Sequence, residues 1–212
     1  MTLATLAVHI DLDASFAALE AGVHDHDGML KFPTDLDRYH TVIAATDPDV
    51  IVETGTRTGA SARWFAAEGP DVITVDNNPT IFEGSADGLT VLVGDSTDPD
   101  LVARIRELVA GRRCMVSLDS NHAAAHVGKE IELYGPLVSF GCHLVVEDAI
   151  WGYADEAVHL RHGEGGMEGS PLDAICQHLA GNPAWLRDVE IEQAHPISHN
   201  PAGYWRRVGQ WP

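Results

Sequence analysis

The stretch that most constrains the fold of this chain is residues 50–61, with the sequence VIVETGTRTGAS. A β-branched run leads to the carboxylate of Glu53, Gly55 and Gly59 follow, and a helical pattern begins at once. This order predicts a strand, a tight turn and a helix N-terminus, which is where an open α/β sheet binds a nucleotide-like ligand. Glycines there let backbone N–H groups approach the ligand closely, because a Cβ would collide with it. An ordinary βα turn without a ligand is the alternative interpretation of this segment alone.

A second acid narrows the class of ligand. Asp76 ends the next apolar strand, residues 72–76, and can accept hydrogen bonds from both ribose hydroxyls. The glycine spacing differs from the G-x-G-x-x-G of dinucleotide-binding turns. An acid before the turn and another about 20 residues later suit S-adenosylmethionine (SAM) instead. We expect SAM to be bound by residues of the turn and of the following strand ends: Glu53, Gly55, Thr56, Gly59, Ser61, Asp76, Asp95, Ser96 and Asp119.

Composition indicates one compact domain over residues 1–212, since 45% of the residues are hydrophobic and about 100–200 residues per domain is typical. A net charge of -19, with a pI near 4.7, argues against nucleic acids and anionic membranes as partners. No apolar run approaches the roughly 20 residues that span a bilayer, and the start of the chain lacks the basic residues of a signal peptide. The 3 cysteines are widely spaced and fit neither a disulfide framework nor a zinc site. These features predict a protein of the reducing cytoplasm.

Strand and helix patterns alternate along most of the chain, which predicts a parallel sheet with helices on both faces. Two final strand candidates, near residues 186–193 and 203–208, flank a turn suited to an antiparallel pair. We therefore predict an α/β, Rossmann-like class I methyltransferase fold, with a seven-stranded, mostly parallel sheet and a C-terminal antiparallel strand pair. We expect residues 1–30 to form an N-terminal helix and lid segment, and residues 152–169 a loop over the substrate.

Three further acids end neighbouring strands of the predicted sheet. Asp119 ends the fourth strand, and Glu147 and Asp148 end the fifth. Neighbouring strand ends converge on the ligand crevice of an open sheet, and carboxylates packed together repel one another unless a cation neutralises them. All-oxygen ligands favour Mg²⁺, or Mn²⁺ or Ca²⁺, over zinc. The pattern predicts a metal site at these three residues; helix capping or solvation is the alternative for any one of them.

Three segments resemble the motifs of a known family. Residues 52–56 (VETGT), 118–122 (LDSNH) and 145–148 (VVED) are similar to those of the cephalosporin hydroxylase / rhamnosyl O-methyltransferase family, and the similarity covers roughly residues 30–208. The resemblance implies a SAM- and divalent-metal-dependent O-methyltransferase acting on a hydroxyl of a sugar or another small secondary metabolite. It also implies Asp119, Glu147 and Asp148 as the metal ligands and His122 as the candidate base.

Other functions stay open at this point. A nicotinamide-dependent oxidoreductase would use the same crevice, but it gives the three carboxylates no task. A non-catalytic partner protein that binds SAM or metal would show no turnover with any acceptor. Among enzymes, a metal-dependent catechol methyltransferase with the same sheet is the nearest rival. The sequence does not name the acceptor, and it leaves homo-oligomerisation open.

Overall fold

The computed structural model of the chain describes residues 9–23, 25–26, 28–78, 87–164, 166 and 168–211. The strands in these ranges are β1 (Asp25–His26), β2 (Met29–Leu30), β3 (Val50–Thr54), β4 (Asp71–Asp76), β5 (Leu89–Val93), β6 (Cys114–Leu118), β7 (His143–Val146), β8 (Trp185–Arg187) and β9 (Tyr204–Arg207). The α-helices are α1 (Leu12–Glu20), α2 (Pro33–Thr46), α3 (Ala60–Ala67), α4 (Pro99–Val109), α5 (Ala124–Tyr134), α6 (Glu156–Arg161), α7 (Pro171–His178) and α8 (Val189–Gln193). Short 3₁₀ helices cover Gly135–Leu137 and Ala149–Tyr153.

Among the described residues, 7 strands form one sheet in the spatial order β5-β4-β3-β6-β7-β9-β8. Strands β3 to β7 pair in parallel, whereas β9 is antiparallel to both β7 and β8. In chain order, β4 and β5 are added on one side of β3, and β6 and β7 are then added on its other side. The crevice between β3 and β6 is therefore the switch point at which such sheets bind ligands. The predicted sheet, including its antiparallel C-terminal pair, is confirmed.

The sheet is covered on both faces, as alternate residues of β3 show. Val50 and Val52 belong to an apolar cluster that also contains residues of α4, α5 and α7. Ile51, between them in sequence, belongs to a second cluster with residues of α2 and α3. Successive side chains of a strand point to opposite faces, so these two clusters are the two sides of the sheet. Burial on both sides explains why the strands are near-continuous apolar runs in the sequence.

The C-terminal region differs from our prediction in one element. We predicted a strand over residues 186–193, but the structure ends β8 at Arg187 and begins α8 at Val189. The side chain of Asp188 caps α8 by accepting a hydrogen bond from the backbone N–H of Ile191. The buried carboxylate of Glu192 also pairs with the Arg187 guanidinium at 2.6 Å. Because local capping and this ion pair favour a helical turn, the β-branched residues of the segment do not form a strand.

The N-terminal segment contains a helix, α1, as expected, whereas the loop expected over residues 152–169 contains a helix that we did not predict. Residues 152–169 contain α6, whose N-cap residue Asp155 accepts a hydrogen bond from the backbone of Val158. In the N-terminal segment, residues 1–8 lie outside the described residues, and α1 and the small β1–β2 hairpin follow. Within the described part of the chain, no helix is both long and apolar enough to cross a membrane.

Gly55 lies where the chain leaving β3 passes closest to the end of β6. Its φ is 86°, and a Cβ added to it would lie 1.7 Å from the backbone carbonyl oxygen of Asp119. We expected the missing Cβ to make room for a ligand; the structure shows that it first makes room for the neighbouring strand end. The glycine turn and Asp119 are therefore packed against each other as one unit.

This packing can be tested with Gly55→Ala against a matched control, Gly111→Ala. Gly111 has a similar φ of 77°, and no described atom lies within 4 Å of an added Cβ. The control should lose about 1–2 kcal/mol of unfolding free energy from the left-handed backbone alone. Gly55→Ala should lose roughly 1–3 kcal/mol more, because the backbone must shift to relieve the clash. Urea denaturation measures both values, and equal losses would contradict the close approach.

Candidate active site

The carboxyl ends of β3, β4, β5, β6 and β7 open into one cavity of about 540 Å³. Loops following the strands line it, as expected for the crevice of an open α/β sheet. Most of the predicted site residues contribute to this lining: Gly55, Thr56, Ser61, Asp76, Asp95, Ser96, Asp119, His122 and Asp148. Three other predicted residues, Glu53, Gly59 and Glu147, lie outside the described lining.

Asp76 is held in place by backbone donors. Its Oδ2 accepts a hydrogen bond from Arg57 N at 2.8 Å, and its Oδ1 accepts one from Asn78 N at 2.8 Å. A carboxylate has about four acceptor positions, so two further hydrogen bonds can be accepted from ribose hydroxyls. Arg57, in the glycine turn, thus helps to hold the carboxylate of Asp76, which we expect to bind the ribose.

Glu53, one of the residues that we expect to bind SAM, is not among the described residues that line the cavity. Glu53 is fully buried in β3, where its carboxylate accepts hydrogen bonds from Ser61 Oγ at 2.5 Å and Thr74 Oγ1 at 2.7 Å. Burial raises the pKa of Glu53 to about 7, although the Lys31 charge and the two hydroxyl donors oppose the shift. Glu53 therefore lies beneath the cavity and orients Ser61, which lines it.

Gly59 also acts through the shape of the turn. It adopts a φ of 71° at the N-cap of α3, and its N–H donates to Thr56 O at 2.7 Å. That closed turn places Thr56 and Ser61 at the wall of the cavity. The glycine is needed because few side chains tolerate the left-handed conformation.

At the opposite side of the cavity, His126 joins the predicted residues Asp95 and Ser96. Its Nε2 lies 3.1 Å from Ser96 Oγ and 3.6 Å from a carboxylate oxygen of the buried Glu130. Asp95 accepts hydrogen bonds from the backbone and side chain of Thr97, which lower its pKa. We did not predict His126 as a site residue, although its position one helical turn after His122 places both on one face of the segment.

Asp119 and Asp148 converge near the β6 and β7 ends. Potential ligand atoms of Asp119, His122 and Asp148 lie within 4.8 Å of one another. Asp148 adopts a left-handed φ of 57°, and its backbone N–H donates to Asn200 Oδ1 at 2.9 Å. The ring of His199 adds a contact of 3.5 Å to Asp148 Oδ1. Two carboxylates and an imidazole at this spacing can hold a divalent cation, and two of these residues, Asp119 and Asp148, belong to the metal site that we predicted.

The structure does not bring Glu147, our third predicted ligand, into this group. Glu147 is buried, and its Oε1 accepts hydrogen bonds from Tyr39 and Ser117 at 2.7 Å each. Its Oε2 accepts one from Lys31 Nζ at 2.5 Å, and the same Nζ donates to Asp119 Oδ2 at 2.7 Å. Burial opposes the charge of Lys31, but the two carboxylates outweigh it and raise the pKa of Lys31 above its usual value. An ammonium thus neutralises two of the carboxylates for which we predicted a metal ion alone.

His122 lies between two acids. Its Nε2 is 3.1 Å from Asp148 Oδ2, and its Nδ1 is 3.1 Å from Glu164 Oε1. Burial lowers the pKa of His122, but the Asp148 charge and the hydrogen bonds to its acidic neighbours raise it well above the usual value. Glu164 belongs to the segment expected to cover the substrate. Both ring nitrogens of His122 are thus paired with carboxylates, an arrangement that favours the protonated ring.

Lys31 and Glu164, like His126, are residues at the site that our sequence argument did not predict. Lys31 is 88 residues from Asp119 and 116 from Glu147 along the chain, and Glu164 is 42 residues from His122. No spacing rule links positions so far apart. The family resemblance did not assign Lys31 a role either.

Comparisons with known proteins identify the family of this chain. The family described as rhamnosyl O-methyltransferase/CmcI matches residues 26–208. The rhamnosyl O-methyltransferase of Mycobacterium tuberculosis (strain ATCC 25618 / H37Rv) is 32% identical over 130 residues, which are 56% of this chain and 53% of the relative. That of Mycobacterium leprae (strain TN) is 30% identical over 130 residues, 57% of each protein. The chain spans about half the length of the curated relatives it matches.

Solved structures show the same fold. A CmcI structure with Mg and SAM has a TM-score of 0.61 at 19% identity, covering 89% of this chain and 78% of CmcI. The MycE methyltransferase from the mycinamycin biosynthetic pathway, in complex with Mg, SAH and mycinamycin VI, has a TM-score of 0.56 at 16% identity, covering 83% of this chain and 50% of MycE. The predicted class I methyltransferase fold is confirmed. Since the family match extends over most of the sequence, this chain belongs to the rhamnosyl O-methyltransferase/CmcI family.

Proposed function

We propose that this protein transfers the methyl group of SAM to a hydroxyl of a small-molecule acceptor, with the help of a divalent cation. The observation that carries the proposal is the meeting, in one cavity, of the glycine turn, the ribose-type acid Asp76 and the cluster formed by Asp119, His122 and Asp148. Family membership supports this activity, and the names of the curated relatives favour a sugar hydroxyl as the acceptor. An antibiotic-type glycoside is a second acceptor of the same class, by analogy with the ligand of MycE.

The charge of the cavity suits SAM. Its lining contains four acids, Asp76, Asp95, Asp119 and Asp148. The sulfonium of SAM is positive, so carboxylates attract it. Transfer of the methyl group leaves a neutral thioether, so the same carboxylates hold the product less strongly than the substrate.

Asp119 and Asp148 are the residues that would hold the cation, with Glu147 next to them. When bound, such a cation stabilises negative charge that develops on the acceptor oxygen. The chain's own part of the reaction is to align the acceptor with the methyl group and to accept its proton. His122 in its neutral form can take that proton at Nε2 once the contact of this atom with Asp148 is released, and Glu164 holds the ring through Nδ1. The adjacent carboxylates then stabilise the imidazolium that forms, as in other base–acid pairs.

Hydride transfer is the competing chemistry for this crevice. A nicotinamide-dependent oxidoreductase would leave the Asp119 and Asp148 pair without a task, and the turn lacks the dinucleotide spacing. We expect calorimetry to show SAM binding and no comparable binding of NAD(H). Incubation with SAM, Mg²⁺ and a panel of glycosides and phenols should then yield a methylated sugar-type product by mass spectrometry. Preferential NAD binding would contradict the proposal, and a methylated phenol in place of a glycoside would favour the catechol-type rival.

The metal site can be tested with Asp119→Asn, which keeps the shape of the side chain and removes one charge. We expect weaker Mn²⁺ binding by electron paramagnetic resonance, with SAM still bound, because each carboxylate contributes to the attraction of the cation. The control, Asp100→Asn, removes the same charge from the exposed first turn of α4 and should leave both affinities unchanged. EDTA should abolish methylation in the wild type, and added Mg²⁺ should restore it. Full activity in chelator would falsify the metal-assisted chemistry.

The base can be tested with His122→Ala. We expect kcat to fall by roughly 10²–10⁴-fold with SAM and metal binding retained, because a general base acts in the transition state. His40→Ala, which removes an exposed histidine on α2, is the control and should keep wild-type turnover. A parallel loss of metal affinity in His122→Ala would instead identify His122 as a ligand, and near-normal turnover would identify it as structural.

A further inference from the structure

Lys31 is a buried cation beside the proposed metal site, between Asp119 and Glu147. Its side chain is 2% exposed, and its Nζ contacts Glu147 Oε2 at 2.5 Å and Asp119 Oδ2 at 2.7 Å. Both carboxylates therefore point at one atom. That atom occupies the position from which a single cation can contact the two oxygens at once.

A divalent cation and this ammonium exclude each other from that position. Mg²⁺ binds carboxylate oxygens at about 2.0–2.1 Å and Ca²⁺ at about 2.3–2.6 Å, so a cation that uses the same oxygens needs the space that Nζ fills. Two cations at contact distance also repel each other strongly in a buried site. Binding of one therefore requires withdrawal of the other.

The surroundings of Lys31 allow this withdrawal. Lys31 lines the cavity, and its long stem can move the ammonium toward that space. Glu147 is not left without donors, because Tyr39 and Ser117 still donate to its Oε1. The carboxylate thus remains oriented toward the site whether or not the ammonium contacts it.

We infer that Lys31 is a built-in competitor of the divalent cation, which alternates with it on Asp119 and Glu147 and so sets the cation affinity of the site. This inference rests on the metal site of the proposed function. The ammonium keeps the carboxylates neutralised while no metal is bound, and the metal must displace it before Glu147 can become a ligand. The site therefore binds its cation more weakly than three unopposed carboxylates would.

The inference is tested with Lys31→Met, which keeps much of the length of the side chain and removes its charge. The control is Lys129→Met, which removes the chain's other lysine from a position that is 52% exposed, so that both variants carry the same net charge. Titration with Mn²⁺ alone, followed by electron paramagnetic resonance, should show binding to Lys31→Met that is roughly 10-fold or more tighter than to the control. The thermal midpoint of Lys31→Met should also fall without metal and recover with Mg²⁺. Equal Mn²⁺ affinity in the two variants, or weaker affinity in Lys31→Met, would overturn the inference.

A measurement on the wild type keeps the test valid if Lys31→Met does not fold. An amine-reactive reagent should label Lys31 slowly in metal-free protein, because its ammonium is buried and paired. Mg²⁺ should increase this labelling relative to Lys129, which serves as the internal reference in the same mass spectrum. Labelling of Lys31 that Mg²⁺ leaves unchanged or decreases would show that the metal does not displace it.

The metal site and the competition between Lys31 and the metal can be contradicted by different results. If neither the wild type nor Lys31→Met binds Mn²⁺, the metal site itself is absent and the inference falls with it. If the wild type binds Mn²⁺ and Lys31→Met binds it no more tightly, the metal site stands and only the competition is overturned. Binding to Lys31→Met alone would show that the ammonium excludes the metal, which supports the competition.

Discussion

The whole site depends on how a set of closely packed, partly buried acids is neutralised. Asp119, Glu147 and Asp148 end two adjacent strands, and an unpaired carboxylate away from water is costly. Lys31 and His122, which both line the cavity, supply the compensating groups. The strand ends can therefore pack closely, down to the contact of Gly55 with the backbone of Asp119. Charge compensation is what permits the cofactor turn and the acidic cluster to share one cavity.

The sheet was largely predictable because most of its strands are runs of consecutive residues with a recognisable apolar pattern. Apolar runs at β3, β4, β6 and β7 reveal strands buried on both faces, and their alternation with helical patterns gives the parallel order. The segment after β8 shows where this reasoning stops. Val189 and Ile191 are β-branched and therefore favour a strand. The N-cap at Asp188 and the ion pair between Arg187 and Glu192 stabilise a helix instead. Such an outcome depends on which side chains meet, and periodicity does not report that.

The site was predictable to the extent that topology brings strand ends together. Asp76, Asp95, Asp119 and Asp148 follow different strands and line one cavity, as the sheet order requires. The depth of each side chain was not predictable in the same way. Glu53 and Glu147 belong to the same strand ends, yet hydroxyl donors and Lys31 hold them below the cavity. Those partners come from α2, α3, β4, β6 and the segment before α2, and no local pattern links them to the acids.

The hydrogen bond from Asp148 N to Asn200 has a consequence for the order in which the site is completed. The glycine turn and Asp76 are synthesised more than 120 residues before Asn200. Chains grow from the N-terminus at roughly 5–20 residues per second. In a growing chain, the glycine turn can therefore be present for several seconds before Asn200 can accept the hydrogen bond from Asp148 N. During that interval the backbone N–H of Asp148 lacks its hydrogen-bond acceptor on Asn200, so the end of β7 is fixed later than the glycine turn.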